Sequence, residues 1–558
     1  MDFMKFEIIY AEDVKWSKSI LEDIIIISIG SYWYDGAYYS GKKANIKLIE
    51  IFQLNAGHHF QKIKEIISEH LKGFSGHFSF IVITPAIGFA VVDKIRSFPI
   101  YYFRNDNNIY FSNSAPTLQR KFSLKDYDPS SILIFKMAGY TIGDSTILVE
   151  IKQLQSAEII IVDLKTNSVS SNRYFRYFVD KTSTESEENL LEELHGKTIK
   201  TFTKMITSLN GAPVWIPLSG GLDSRLILAL LLELKYDNIT TYTYGKSGIW
   251  EIERAKFIAE FLNVKWHFIK FNPLKIRKYF NTFDRKKYFN YAGGLNSAPH
   301  LAEYYALLEL RRKNYIPENA VIINGQSGDF TSGGHIPKLL LENNSEKIDI
   351  NTFLKVIIDK HYSLWSNLND ISNNKIISDE IIRLLDLFNK KVFTKDQFAK
   401  YYELHECEER QAKFVVNGQR AYDWFGYEWR LPLWSDELIE FWMKVDWKIK
   451  FGQGLLLKYL KKYNFGKVFE DITLPPQFSY YPLWIKLLRP AITSYSKISS
   501  NQPDYLYRKY FLYFMTYSPM YPQSKFSEYL EDSKYHRNTV SYFSKYYLME
   551  LFNTNEIH

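Results

Sequence analysis

The chain has 558 residues, 46% of them apolar and 24% charged, with a formal charge of +8. That composition excludes a disordered or collagen-like chain and leaves room for several domain-sized cores. The positive excess is thin for this length, which argues against a nucleic-acid-binding face, and the single cysteine, Cys407, excludes a disulfide framework, a cysteine-based zinc site and a paired-cysteine redox centre. No signal peptide is read at the start, and the isoleucine run at 24–27 is far shorter than the ~20 residues of a membrane helix. A cytoplasmic protein with no membrane partner is therefore expected. Runs of β-branched and aromatic residues between turn residues predict strands over 6–10, 23–30, 32–39 and 44–54. Ile63, Ile66, Ile67 and Leu71 recur at helical spacing and predict a helix over 59–72. Strands follow at 78–84 and 87–92, then a hairpin of 99–103 with 108–112 around Asn105-Asp106-Asn107. Asp128 caps a helix over 128–137 with Pro129 at its first position. Strands at 147–154, 159–164 and 172–178 complete an α+β region that lacks a βαβ rhythm. The polar stretch 181–188 reads as a linker. Beyond it, strands at 214–218, 239–244, 265–271 and 320–323 alternate with helices at 192–209, 224–234 and 250–261, which predicts a parallel α/β sheet. From 349 onward the pattern is largely helical, and the Tyr-rich C-terminal tail carries no readable motif.

The most informative stretch is Pro217-Leu218-Ser219-Gly220-Gly221-Leu222-Asp223-Ser224-Arg225, where an apolar strand runs through Ser-Gly-Gly into a helix. Glycines let the backbone turn sharply, so successive N–H groups point at one anion and the helix adds its positive end. Ser219 and Ser224 add hydroxyl donors. A carboxylate such as Asp223 beside phosphates requires a divalent cation between them. A bare Gly-Gly turn would be structural; the whole string is not, and it is neither the GxxxxGK[ST] loop nor GxGxxG.

The string resembles the pyrophosphate loop of the ATP-pyrophosphatase enzymes, which adenylate a substrate and release pyrophosphate. Within that group, three further stretches resemble asparagine synthetases. Asn324-Gly325-Gln326-Ser327-Gly328-Asp329 with Gly333-Gly334 is similar to their second phosphate motif. Glu428-Trp429-Arg430-Leu431-Pro432 is similar to their E-x-R-x-P segment, and Gly454 to Lys458 to the segment that supplies a catalytic lysine. In the N-terminal half, Gly76-His77-Phe78-Ser79-Phe80, the segment from Asp93 to Tyr102, and Ile109-Tyr110-Phe111-Ser112 look like a class II glutaminase domain. The resemblance implies α/β plus α+β architecture in two domains. Residues 1–178 would form a degenerate glutaminase-like αββα sandwich. Residues 186–558 would form a parallel-sheet synthetase domain of the adenine-nucleotide α-hydrolase type, with a helical C-terminal extension.

It further implies ATP and Mg2+ as cofactors, a small-molecule or peptide carboxylate as substrate, and an amine or ammonia as second reactant; a homodimer is compatible with it. Pyrophosphate is expected on Ser219, Gly220, Gly221, Asp223 and Ser224, the adenine against Leu218, Tyr244 and Gly325, and the metal on Asp223 and Asp329. Lys458, with Arg430 and Glu428, is expected at the α-phosphate and acyl intermediate. Two departures stand out. Residue 2 is Asp where a class II glutaminase exposes a catalytic cysteine, and residues 55–58 are a poor counterpart of the glutamine-holding segment, so no glutaminase activity is expected. Gln326 replaces the family's usual Glu and can donate a hydrogen bond but cannot act as a base. These residues leave two readings, an active amide-forming ligase and a catalytically weakened homologue acting as a nucleotide-binding partner or regulatory subunit. A tRNA-thiolating enzyme is disfavoured by the single cysteine and diffuse charge. His58, His59 and His70 match no metal-ligand spacing, and His405-Glu406-Cys407-Glu408 lacks the second histidine of HExxH. Motif register alone lifts Lys458 above an ordinary solvated lysine on an amphipathic helix, and Glu428 with Arg430 reads as readily as a structural ion pair as a site pair.

Overall fold

A computed structural model describes residues 5–11, 16–52, 60–105, 108–470, 487–488, 490–491, 494, 513 and 525–552. Asp2, residues 55–58, His59 and the turn residues 106–107 lie outside these. Two β-sheets face each other in the N-terminal part. The larger runs Val169–Arg173, Glu158–Asp163, Ile87–Val92, Ser75–Ile83, Ile24–Tyr34, Ser17–Leu21, with Ala37–Ser40 also paired to Ile24–Tyr34, and all its pairings are antiparallel. Strand alternation gives it two apolar faces. Ile26, Phe80, Val82, Phe89, Val91 and Ile161 pack on helices Gly41–Ile51 and Phe60–Lys72 through Leu48, Ile63, Ile67 and Leu71. Their alternates Ile27, Ile81, Ala90, Val92 and Ile160 share a core with Phe6, Ile109 and Phe111. Those three belong to the second sheet, ordered Lys5–Ile9, Asn108–Ser112, Tyr101–Asn105, Ile151–Gln153. Its far face packs on helix Ala115–Phe122 through Tyr101, Phe103, Tyr110, Ala115 and Leu118. The layers are thus helix, sheet, sheet, helix.

The structure departs from several local expectations. Residues 44–54, expected as a strand, lie largely in helix Gly41–Ile51: the buried Ala44, Asn45, Leu48 and Ile49 recur at helical spacing, while Ile46 is exposed. Helix Ala115–Phe122, capped by Ser114 and started by Pro116, is an addition. The strands expected at 147–154 and 172–178 are reduced to Ile151–Gln153 and shifted to Val169–Arg173.

The second half is built on a parallel sheet ordered Lys265–Lys270, Ile239–Gly245, Val214–Pro217, Val321–Ile323, Glu428–Arg430. The last of these is an added edge strand where the sequence offers only a motif. The chain leaves Val214–Pro217 to one side of the sheet and returns on the other. Connections therefore diverge between Val214–Pro217 and Val321–Ile323, and a crevice opens at their carboxyl ends. Helices Glu187–Leu209, Leu222–Glu233 and Trp250–Phe261 accompany the sheet. Residues Glu406–Val415 form a ten-residue π-helix, a conformation that recurs at functional sites. Charged side chains join it to the N-terminal layers: Arg176 to Glu408 at 2.9 Å, and Lys413 to the carbonyl of Thr141 at 3.2 Å. Among the described residues no helix is long and apolar enough to cross a membrane.

Candidate functional site

The first wall of the crevice follows strand Val214–Pro217. Gly220 turns so tightly against helix Trp250–Phe261 that a Cβ would lie 2.8 Å from the Trp250 ring. The buried Arg225 fixes the turn from below, donating to the Gly220 carbonyl at 2.9 Å. The Ser219 backbone N–H donates to Ser224 Oγ at 3.1 Å, the Gly221 N–H donates to Ser219 Oγ at 3.2 Å, and the two hydroxyls lie 3.2 Å apart. Helix Leu222–Glu233 starts at Gly221 with no side-chain cap. Its first N–H groups and the positive end of its dipole are thus presented beside two serine hydroxyls, an arrangement that suits a polyanion.

The second wall follows Val321–Ile323. The Asn324 N–H donates to the Arg430 carbonyl at 3.1 Å, and Asn324 Oδ1 accepts the Gln326 N–H at 3.0 Å, which curls the loop back toward the first. Glycines permit the contact. A Cβ on Gly325 would lie 3.0 Å from both Asp223 Cβ and Ser224 N, and one on Gly328 would lie 2.6 Å from Asp223 Cγ. The Asp223 carboxyl thereby lies against the second loop, where it accepts the Asp329 N–H and feels the Asp329 charge. Burial first, and the charge of Asp329 second, push the Asp223 carboxyl up to about 8, while the backbone N–H of Asp329 opposes this. Partial desolvation disfavours the Asp329 carboxylate, but the hydrogen bond and charge of His335 prevail and hold it below the usual range. Among the described residues no group of three or more His, Cys, Asp or Glu side chains is arranged to hold a metal. A buried carboxyl whose ionisation is opposed by a neighbouring carboxylate does suit a divalent cation that takes its other ligands from phosphate and water. Asp223 and Asp329 fit that role.

Around the crevice, Tyr244 stacks on Phe271 at 5.5 Å and gives its hydroxyl to Glu303, as do Tyr242 and Tyr422. Asn324 Nδ2 ties this buried cluster to the second loop through Tyr422 at 2.8 Å. Gln326 accepts a close hydrogen bond from Gln419. The structure therefore brings together Leu218, Ser219, Gly220, Gly221, Asp223, Ser224, Gly325, Gln326 and Asp329.

It places three expected residues otherwise. Helix Gly454–Tyr463 buries Leu455, Leu456, Tyr459 and Leu460, which leaves Lys458 on its open side, 58% exposed and paired with Glu187 at 2.6 Å. Trp429 turns inward against His77 and Phe98, so strand alternation sends the Glu428 and Arg430 side chains elsewhere. Arg430 bonds Tyr38 at 2.9 Å, Glu428 at 3.0 Å and Ser208 at 3.2 Å. Both residues line a cavity of about 690 Å³ between the edge strand and the larger N-terminal sheet, together with Ser28, Gly30 and His77. Only the main chain of Arg430 reaches the second loop. His335 was missed by sequence reasoning, although it directly follows the Gly333-Gly334 pair of the second motif.

Residues 208–482 match the family model for asparagine synthase. No curated protein sequence matches the chain. Among solved structures, the allosteric regulatory enzyme of purine biosynthesis is similar at 10% identity over 46% of this chain and 62% of that one, with a TM-score of 0.20. Glutamine phosphoribosylpyrophosphate amidotransferase from B. subtilis, complexed with ADP and GMP, is similar at 10% identity over 57% and 59%, with a TM-score of 0.18. The chain spans about three fifths of the length of each.

Proposed function

Through residues 208–482 the chain belongs to the asparagine synthase family, and from this premise we propose that its crevice adenylates a substrate carboxylate and passes the acyl group to ammonia or an amine. The family supports an ATP-dependent amide-forming ligase. One observation carries the finer reading: the Ser219–Ser224 turn and the Asp329 loop meet, through glycines, at a shared pair of carboxylates. The hydroxyls of Ser219 and Ser224 and the N–H groups at the start of helix Leu222–Glu233 would hold the pyrophosphate. Leu218, Tyr244 and Gly325 would border the base. Mg2+ on Asp223 and Asp329 would neutralise phosphate charge. A carboxylate oxygen attacks the α-phosphorus, the bond to the β-phosphate oxygen breaks and pyrophosphate leaves; nitrogen then attacks the acyl carbon, AMP departs and the nitrogen loses a proton. Gln326, braced by Gln419, orients a reactant without accepting that proton.

The helix–sheet–sheet–helix half, residues 1–178, is proposed as a glutaminase-like scaffold without hydrolytic activity, and residues 186–558 as the synthetase domain. Cys407 is buried and its thiol is pushed far up by burial, so it makes no nucleophile. The nitrogen would come from outside. A cytoplasmic location suits this chemistry.

The placement of Lys458 and of the Arg430 side chain away from the crevice favours a second reading, a nucleotide-binding partner subunit without turnover. Pyrophosphate release, screened over amino-acid, uronate and peptide carboxylates with ammonium, separates the two. Release with one of these acids, abolished by Asp223→Ala, supports the ligase. ATP binding with no release for any acid supports the partner subunit.

A further inference from the structure

The π-helix and the second loop are joined by a closed ring of side chains. Ser327 Oγ donates to Gln411 Oε1 at 2.6 Å, and Gln411 Nε2 donates to Glu406 Oε1 at 3.1 Å. The same carboxylate oxygen also meets the ring of His335: Nδ1 lies in a close hydrogen bond with Glu406 Oε1, and Nε2 lies 3.1 Å from Asp329 Oδ2. Asp329 is two residues from Ser327, so the ring closes on the loop where it began.

Its geometry depends on the π-helix. In an α-helix, residues five apart point about 140° away from each other. With i→i+5 hydrogen bonding they stack, and Glu406 and Gln411 are five apart. Glu406 is also completely buried, with His361 Nε2 3.6 Å away on its far side, so its own position is set by packing.

The consequence falls on Asp329. Its side chain is 53% exposed, and a carboxylate so placed would ordinarily sample several rotamers. Here Oδ1 accepts the Phe330 N–H at 2.9 Å and Oδ2 is held by His335, which is in turn anchored on a buried group.

We infer that His335, pinned by Glu406 of the π-helix, is a positioning residue that aims the Asp329 carboxylate at the Asp223 side of the crevice and so sets the site's requirement for a divalent cation. This rests on the nucleotide-binding reading above. An outer partner of this kind typically governs metal affinity.

The test is calorimetric and needs no turnover. α,β-Methylene-ATP is titrated into the full chain at a series of Mg2+ concentrations. His335→Ala is expected to raise the Mg2+ needed for half-maximal nucleotide binding about tenfold or more, with nucleotide affinity at saturating Mg2+ unchanged. Glu406→Gln keeps an acceptor for the imidazole Nδ1–H and should behave as the parent, whereas Glu406→Ala should follow His335→Ala. If His335→Ala unfolds, His335→Asn keeps one donor but cannot span both carboxylates, and asks the same question. An unchanged Mg2+ requirement in the histidine variants overturns the inference, as does an equal loss of nucleotide affinity with and without Mg2+. A parent chain with no Mg2+-dependent binding removes the nucleotide-binding reading instead.

Discussion

At Asp223 the physical conflict of the site is concentrated in one side chain. Its carboxyl takes a proton at about 8 rather than near 3.8, because burial and Asp329 both oppose the charge. A carboxyl raised in the folded state contributes stability that is present below its unfolded value and lost as pH rises through the folded one. Asp223→Asn keeps an oxygen for the Asp329 N–H and carries no charge. It should therefore melt higher than the parent in the absence of ligand, with the gap opening between about pH 4 and pH 8 and closing below it. One pKa unit corresponds to about 1.4 kcal/mol, so even part of this shift is measurable by thermal melts across that range. A gap that does not change with pH would place the conflict elsewhere. The same residue should abolish function when neutralised, the usual trade of stability against activity at such sites.

At the scale of elements, what was legible depended on locality. The Ser219–Ser224 turn could be read because all its determinants, strand, glycines, hydroxyls and helix, lie within a few residues. Helix Gly41–Ile51 was hidden because Ala44, Ile46 and Leu48 alternate with Asn45 and Lys47 like a strand, and only its packing on the larger sheet selects the Ala44–Leu48 face. The π-helix has no sequence signature, and His335 finds Glu406 only after 71 residues of chain. The expectation for Lys458 followed motif register, whereas the apolar face of its own helix decides where it points. The π-helix also carries a fully buried pair, Lys413 with Glu409 at 2.8 Å, in which Lys413 further donates to the carbonyls of Thr141 and Gly143. Removing one member strands the other. Lys413→Ala should cost about 3–5 kcal/mol in denaturant titrations, and Lys413→Met combined with Glu409→Gln should recover most of it. A loss below about 1 kcal/mol for the single variant would mean that water reaches Glu409.

Across the whole molecule the two halves share their interior. One core runs from Phe6 and Phe111 through Tyr140 and Phe414 to Tyr547 and Leu548. Charged side chains cross the same boundary, Arg420 to the Ser97 carbonyl at 2.6 Å and Lys94 to Asp436 at 3.1 Å. A chain read from its sequence as two domains with a polar linker is thus bound together by contacts no linear pattern announces. Scanning calorimetry should show one cooperative transition for both halves; two well-separated transitions would show that the shared core does not couple them.

The central claim is that the crevice holds a nucleotide's pyrophosphate by its Gly-Gly turn and its paired carboxylates, and equilibrium binding of ATP tests it without knowledge of the acid substrate. The account predicts saturable, Mg2+-dependent binding by the intact chain, lost in Asp223→Asn and in Gly328→Ala, whose added Cβ would press on the Asp223 carboxyl. Binding that persists undiminished in both variants, or an intact chain that takes up no ATP with Mg2+ present, would contradict it.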